Sequence, residues 1–338
     1  MAALLAHCHI SADQEGAIYP ISPARDLYQV AELIELCFAS RLDANGRAAV
    51  GEMKTIGQLG PLLWILAPFD LLGLGFGHGY VWRVGRRVVG NASLYPGGLH
   101  PWLGRGWLVA NVAVHPDYRR RGIARQLMQA TLNLAKRLGG GWVALQVEAD
   151  NVPAFMLYQG LGFQAFETLT QWENERVTIQ PSVGRTATES TIRKRCRADA
   201  AAEVELIYRR ARQGAMAWTQ PLEHGEVRGS LLGGWFSGPW LERWVLFDPL
   251  RPGWLGGAIW IETAGWGRSR LSLFLDPAVN NPATRQALLR HVLSSPDLEG
   301  RHLRIETVAD DKPVEELLEA LHFQRARSLV QMRITLNA

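Results

Sequence analysis

The sequence predicts an α/β fold built twice in one chain. One observation is an apolar strand pattern that runs into a glycine-opened helix and a second strand between residues 109 and 147. Another is the return of the same pattern in the C-terminal half. The third is a length of 338 residues with 47% hydrophobic content, which suits two globular domains of ordinary size.

Taken in order, Ile18-Tyr-Pro-Ile21 reads as a first strand and Leu27 to Phe38 as a helix. Pro61 to Phe76 is apolar but shorter than the roughly 20 residues that span a bilayer, and Pro68 and Asp70 interrupt it. Gly79 to Val84, a turn at Gly85-Arg-Arg, and Val88 to Tyr95 form a hairpin pattern. Val109 to Val114 alternates as a strand and stops at His115-Pro116. After Gly122 the apolar positions Ile123, Leu127, Ala130, Leu134 and Leu138 keep helical spacing. Gly139-Gly140-Gly141 then ends the helix. Trp142 to Val147 reads as a strand, and a strand–helix–strand unit of this length implies parallel neighbours with a right-handed crossover. Asp150 or Asn151 caps the next helix, with Pro153 tolerated in its first turn.

The order strand, Arg119-Arg120-Arg121, Gly122, helix builds an anion site. N–H groups at a helix N-terminus lack intrahelical partners and sit at the positive end of the dipole, so they attract phosphate. Gly122 removes the Cβ that would hold a ligand off the backbone, Ala124 keeps the next turn small, and the arginines add charge. On the later helix Asn151, Ala154 and Tyr158 share a face by their spacing.

The loop resembles the R-x-x-G-x-G/A signature of the GNAT superfamily of N-acetyltransferases, read as Arg119-x-x-Gly122-x-Ala124. The later helix is similar to a second GNAT signature, N-x-x-A-x-x-L-Y-x-x-x-G-F, matched by Asn151, Ala154, Leu157, Tyr158, Gly162 and Phe163. The resemblance covers roughly residues 16 to 175. It implies an acyl-CoA N-acyltransferase fold: α+β, with a mixed, mostly antiparallel sheet and a central, splayed parallel pair. It also implies acetyl-CoA as co-substrate, an amine acceptor and no metal. By resemblance, Val112, Ala113, Val114, Arg119, Arg120, Arg121, Gly122, Ile123, Ala124 and Asn151 bind acetyl-CoA. The strand edge pairs with the pantetheine arm, and an N–H near Val112 or Val114 polarises the acetyl carbonyl.

Tyr158 is the candidate catalytic acid, a phenol that protonates the leaving thiolate; its alternative is a half-buried core tyrosine. Asn151 is either a pantetheine contact, a helix cap or both. The base stays open. Many relatives carry an acidic residue near the position of Asn111, and an amide accepts no proton usefully. Glu148, His115, a water chain and an amine that arrives neutral remain. No cysteine lies inside either signature, so direct attack is expected.

The chain then repeats itself. Leu271 to Pro277, followed by Ala278 to Leu289, mirrors Asn111 to Met128; Thr307 to Gln324 mirrors Val147 to Gln164 at an offset of 160. Thr191 to Lys194 and a helix over Ala198 to Arg212 resemble the start. In this copy Ala283 replaces the loop glycine, Asn280 and Asn281 replace arginines, Asp311 stands for Asn151 and Leu318 for Tyr158. The expectation is a second GNAT-like domain without a cofactor loop. Six tryptophans lie between Trp235 and Trp266. They fit an aromatic wall for a cationic or sugar-like acceptor, or strand core and domain interface, the reading preferred.

The expected organisation is a tail over 1–15, a catalytic domain over 16–178, a linker over 179–186 and the degenerate domain over 187–338. The formal net charge of +4 is mild, and the one dense basic cluster is already assigned, so no nucleic-acid partner is expected. Cys8, Cys37 and Cys196 form neither a metal spacing nor a disulfide framework, and no signal peptide is visible. A cytoplasmic N-acetyltransferase without a membrane span follows as the expectation, acting on an amine, a small molecule favoured. The alternatives are a protein N-terminal or lysine acetyltransferase and a non-catalytic acyl-CoA sensor. The acceptor, the acyl-chain preference and the oligomeric state are left open.

Overall fold

The structure is a computed structural model that describes residues 16–39, 41–42, 44–58, 78–100, 103–178, 191–207, 240–263 and 268–336. The apolar run 61–76, the linker, His7-Cys8-His9, Trp235 and Trp266 lie outside the described residues. The chain is a mixed α/β protein with two compact units, one of residues 1–96 and 107–140, the other of residues 97–106 and 141–337.

The first unit contains β1 (Ala17–Pro20), α1 (Pro23–Phe38), α2 (Ala44–Gln58), β2 (His78–Val84), most of β3 (Arg87–His100) and of β4 (Gly104–Val114), and α3 (Ile123–Arg137). β1 runs antiparallel to β2, and β2 to β3 through a tight turn at Gly85, whose φ is 59°. The hairpin is where the sequence puts it, although β3 continues beyond Tyr95 to His100. α1 buries Leu27, Val30 and Ile34 against Val50 and Met53 of α2 and against Val81 of the sheet. Asp26 is fully buried and bonded to Arg83, with the Ser22 N–H donating to its other oxygen at 2.8 Å. A buried carboxylate is tolerable only when paired in this way. α3 packs on the other face, close enough that a Cβ at Gly90 would sit 3.0 Å from both Ile123 and Leu127.

The second unit holds β5 (Trp142–Glu148), α4 (Val152–Gln159), β6 (Gln164–Asn174), β7 (Ile192–Lys194), α5 (Ala200–Glu205), β8 (Trp240–Phe247), β9 (Leu255–Thr263), β10 (Arg268–Leu275), α6 (Pro282–Leu293), β11 (His302–Val308), α7 (Lys312–Ala320) and β12 (Gln324–Thr335). Its strand order is β5-β12-β6-β11-β10-β9-β8-β7. β10 and β11 are parallel and the other registered pairs are antiparallel.

That order exchanges the last strand of each sequence repeat. β12, which ends the second copy, pairs with β5 of the first, Val330 opposite Val147. β6, which ends the first copy, pairs with β11 of the second, Trp172 opposite Ile305. The compact units therefore divide the chain differently from the repeat. Trp172 is 1% exposed inside a core of second-copy residues, among them Leu288, Leu303 and Phe323, and its indole N–H donates to Thr307 Oγ1 at 3.0 Å.

Two second-copy expectations shift. Ala283, expected in the loop before the helix, instead lies inside α6 (Pro282–Leu293). Asp276 turns the chain by accepting from the Ala278 N–H, and Asn281 caps the helix by accepting from the Thr284 N–H at 2.9 Å. Pro282 occupies the first helical position, where its missing N–H costs nothing. The helix expected from Ala198 begins at Ala200, after a 3₁₀ turn over Arg197–Asp199.

Of the tryptophans, Trp244 and Trp260 are core residues, 9% and 2% exposed. The Trp260 indole donates at 2.9 Å to Glu203, which is fully buried and also accepts from Arg195 and Arg243. The preferred reading, strand core, holds for these two.

Candidate functional site

In the first unit, β4 leads into a loop whose fold is local. Pro116–Tyr118 forms a 3₁₀ turn with His115 at the position before it. Arg120 then takes φ 62° and Gly122 φ 76°, both left-handed. Gly122 is the N-cap of α3 and supplies no side-chain cap. The first i to i+4 bond runs from the Gln126 N–H to Gly122 O at 3.1 Å, so the N–H groups before it are left without intrahelical acceptors. A Cβ built at Gly122 would meet nothing nearer than Gln126 Nε2 at 3.9 Å. The glycine is thus demanded by its backbone angle, and the space beside it is open.

The three arginines divide the work. Arg119 donates from Nε to Val114 O at 3.1 Å, and Arg121 from Nη2 to Asp117 O at 3.1 Å while lying over the Tyr118 ring. Both tie the loop together while staying exposed, and Arg120 is exposed as well. Ile123 is buried as the first core residue of α3, and Ala124 is half-buried beside the helix start. An anion would meet backbone N–H groups, a positive helix end and exposed guanidinium groups, a donor set that suits a pyrophosphate.

Upstream, Val112 and Val114 are half-buried and Ala113 is buried. Within β4, Asn111 takes a left-handed φ of 56°. Its carbonyl accepts from Asn91 Nδ2 at 2.8 Å, and its own amide donates to the Tyr95 hydroxyl at 3.1 Å. Burial pushes the Tyr95 phenol up. Sequence reasoning missed Asn91 and Tyr95; nothing in an alternating strand marks which polar residues face a neighbouring bulge.

His115 is 9% exposed, with Nε2 2.8 Å from Arg87 Nη2. Burial, with Arg87 beside it, holds the imidazole below its usual range and keeps it neutral near pH 7. An Nε2 that accepts from a guanidinium is not open to a substrate proton, so His115 shapes the turn. Cys37 Sγ lies 3.4 Å from Val114 O, and burial pushes its thiol up.

Asn151 and Tyr158 belong to the second unit. Asn151 caps α4, its side chain accepting from the Ala154 N–H at 3.3 Å. The cap role is therefore filled. Tyr158 is 6% exposed and meets Phe163 edge-on at 6.0 Å between centroids. Burial pushes its phenol up to about 12, so it is a proton donor at neutral pH and never an anion there. Glu148 ends β5, half-buried, with Arg327 Nη1 3.8 Å away.

Among the described residues no group of histidines, cysteines and acids is arranged to hold a metal ion. No described helix is long and apolar enough to cross a membrane.

Residues 58–163 match the family model described as the acetyltransferase (GNAT) family. N-alpha-acetyltransferase 30 of Schizosaccharomyces pombe is 37% identical over 68 residues, which is 20% of this chain and 45% of that protein. The chain spans less than half the length of the curated relatives it matches. A GCN5-related N-acetyltransferase from Sphaerobacter thermophilus has the same fold, with a TM-score of 0.64 at 15% identity over 95% of each chain. A tandem GNAT protein from the clavulanic acid biosynthesis pathway superimposes at a TM-score of 0.54 and 16% identity, over 96% of this chain and 99% of that one.

Proposed function

We propose that the first copy, whose residues 58–163 match the GNAT acetyltransferase family model, transfers an acetyl group from acetyl-CoA to a primary amine by direct attack. The observation that carries this reading is the Gly122 cradle: open space, a left-handed N-cap and a free helix N-terminus after β4. Those features fit the pyrophosphate of acetyl-CoA. Arg119, Arg120, Arg121, Gly122, Ile123 and Ala124 hold it, the Val112–Val114 backbone takes the pantetheine arm, and Asn151 adds a contact beyond its cap. The co-substrate supplies an activated thioester. An N–H of Val112 or Val114 favours charge on the acetyl oxygen.

Tyr158 donates the proton that the departing thiolate requires. Burial keeps the phenol protonated at neutral pH, so its hydroxyl can still donate toward the sulfur. The domain limits 16–178 and 187–338 describe the two copies as sequence units, and a cytoplasmic setting fits this reading. The acceptor favoured is a small molecule. A protein N-terminus is the second reading, supported by the S. pombe N-alpha-acetyltransferase match.

Thiol release from acetyl-CoA with a panel of small amines and free-N-terminus peptides tests the proposal. Amine-dependent release is expected, and the better class names the acceptor. Binding of acetyl-CoA without release from any amine would leave a sensor instead.

A further inference from the structure

A cavity of about 390 Å³ opens in the second unit, at the end of the sheet where β5 and β6 begin and β12 ends. The end of β3 and the residue before β4 supply His100 and Leu103. The turn between α4 and β6 brings Gln164, and the end of β12 brings Arg333, Ile334 and Thr335. The cavity stands apart from the residues assigned above. The Gly122 loop belongs to the other unit, and neither Asn151 nor Tyr158 lines the cavity. Glu148 lies at the far end of the seven-residue strand β5, about 20 Å from its start at roughly 3.3 Å per residue.

Backbone contacts fix the walls. The Gly141 N–H donates to Arg105 O at 2.8 Å, and the Leu336 N–H to Gly141 O at 2.9 Å. A Cβ at Gly141 would sit 1.7 Å from Leu103 O, so glycine is what lets the chain entering β4 close on the start of β5. The Arg333 guanidinium lies over the Phe166 ring, 4.9 Å from its centroid, a cation–π contact that favours one position for the charge.

The sequence repeat supplies an internal comparison. Arg333 stands opposite Gln164, and the mirror of that pair is Glu173 opposite Gln324. There the carboxylate accepts from Gln171 Nε2 at 2.7 Å. The exchanged strands therefore accept either charge at this register, and strand pairing by itself does not demand an arginine.

We propose that the cavity is a binding site for a small organic anion, a carboxylate or a phosphate ester on a short carbon body. Its lining residues include one permanent cation, Arg333, and no acid. A guanidinium fork matches two oxygens of either group. The Gln164 amide, the Thr335 hydroxyl and the His100 ring supply further hydrogen-bonding groups, while Leu103 and Ile334 give the carbon body an apolar side. The volume sits near the small end of ligand sites, which run from roughly 300 to 1,000 Å³. The site draws Gln164 from the first copy and Arg333 from the second, so it exists because β6 and β12 are exchanged.

Calorimetric titration of the full chain with inorganic phosphate, a sugar phosphate, succinate and citrate tests the proposal, each without and with saturating acetyl-CoA. At least one is expected to bind with a Kd below about 1 mM, and the better arm separates phosphate from carboxylate. Arg333→Gln should weaken that binding at least about tenfold, and Arg333→Lys should fall between, since it keeps the charge and loses the fork. Thr335→Val changes an exposed position and should weaken binding about threefold or more through one lost hydrogen bond. It serves should Arg333→Gln fail to fold, which thermal melts of the free variants reveal. No binding of any of the four up to about 10 mM, or equal affinity in the parent and the folded variants, overturns the proposal. Binding that saturating acetyl-CoA abolishes overturns it too, because the anion then sits at the Gly122 loop.

Discussion

Arg285 Nε donates to Asp311 Oδ2 at 2.5 Å, while its Nη1 reaches Asn280 Oδ1 at 2.6 Å. In the repeat, Arg285 stands where Ala124 stands in the first copy, and Asp311 stands for Asn151. The second copy has therefore filled its own anion position: a guanidinium occupies the place that must stay small, and a carboxylate neutralises it. Acetyl-CoA should bind with a stoichiometry of one per chain in calorimetry. Two equivalent sites would contradict this.

The same pair has a structural role. Asp311 is 8% exposed and Arg285 25% by side chain. Removing Arg285 strands a buried carboxylate, so Arg285→Ala should destabilise by about 1–3 kcal/mol. Arg285→Ala combined with Asp311→Asn should cost less than Arg285→Ala alone. Urea unfolding of the set checks the order.

At Gly122 two effects can be separated. Any side chain at φ 76° carries backbone strain, about 1–2 kcal/mol for a non-glycine residue. Gly122→Ala and Gly122→Trp share that cost, but only tryptophan fills the open cradle. Acetyl-CoA affinity should fall at least about tenfold further in Gly122→Trp than in Gly122→Ala. Equal losses would mean that the loop matters through its fold alone.

Tyr158→Phe keeps the ring packed on Phe163 and removes the hydroxyl. Turnover should drop by roughly 10²-fold or more, the range of a lost general acid, with acetyl-CoA KM little changed. An unchanged kcat would return Tyr158 to the core.

Acid sensitivity has a clear contributor in the second unit. Arg193 holds both oxygens of Asp199, at 2.7 and 2.8 Å, and keeps its carboxyl well below the usual carboxylate range. A depressed folded-state pKa gives stability that is fully present above the unfolded value, about 3.9, and is lost as pH falls toward the folded one. Asp199→Asn should be less stable than the parent at neutral pH, with a flatter loss of stability below about pH 4. Urea midpoints at pH 7 and pH 3 measure both.

The loop and its helix were legible because their signals are local. Gly122 marks a backbone angle, the arginines follow it, and the Asn151 cap and helical spacing fix α4. The core role of Trp244 and Trp260 followed from strand composition. The exchange of β6 and β12 was not legible, since a strand bonds its neighbour through backbone and its side-chain pattern is the same whichever copy it joins. Nor did spacing reveal the Asn91–Asn111 bond, which joins residues of two strands at a position with left-handed backbone. α6 takes in Ala283 because Asn281 caps the helix and Pro282 fits its first position.

The central claim is direct transfer from the first copy's site to an amine. Acetyl-CoA labelled in its acetyl group, incubated with the chain and an amine panel, tests it when the masses of acceptor and protein are read together. The account predicts label in the amine acceptor alone, with the protein unlabelled at every time point. Label that appears first on the protein, at Cys37 or elsewhere, and then passes to the acceptor would contradict it.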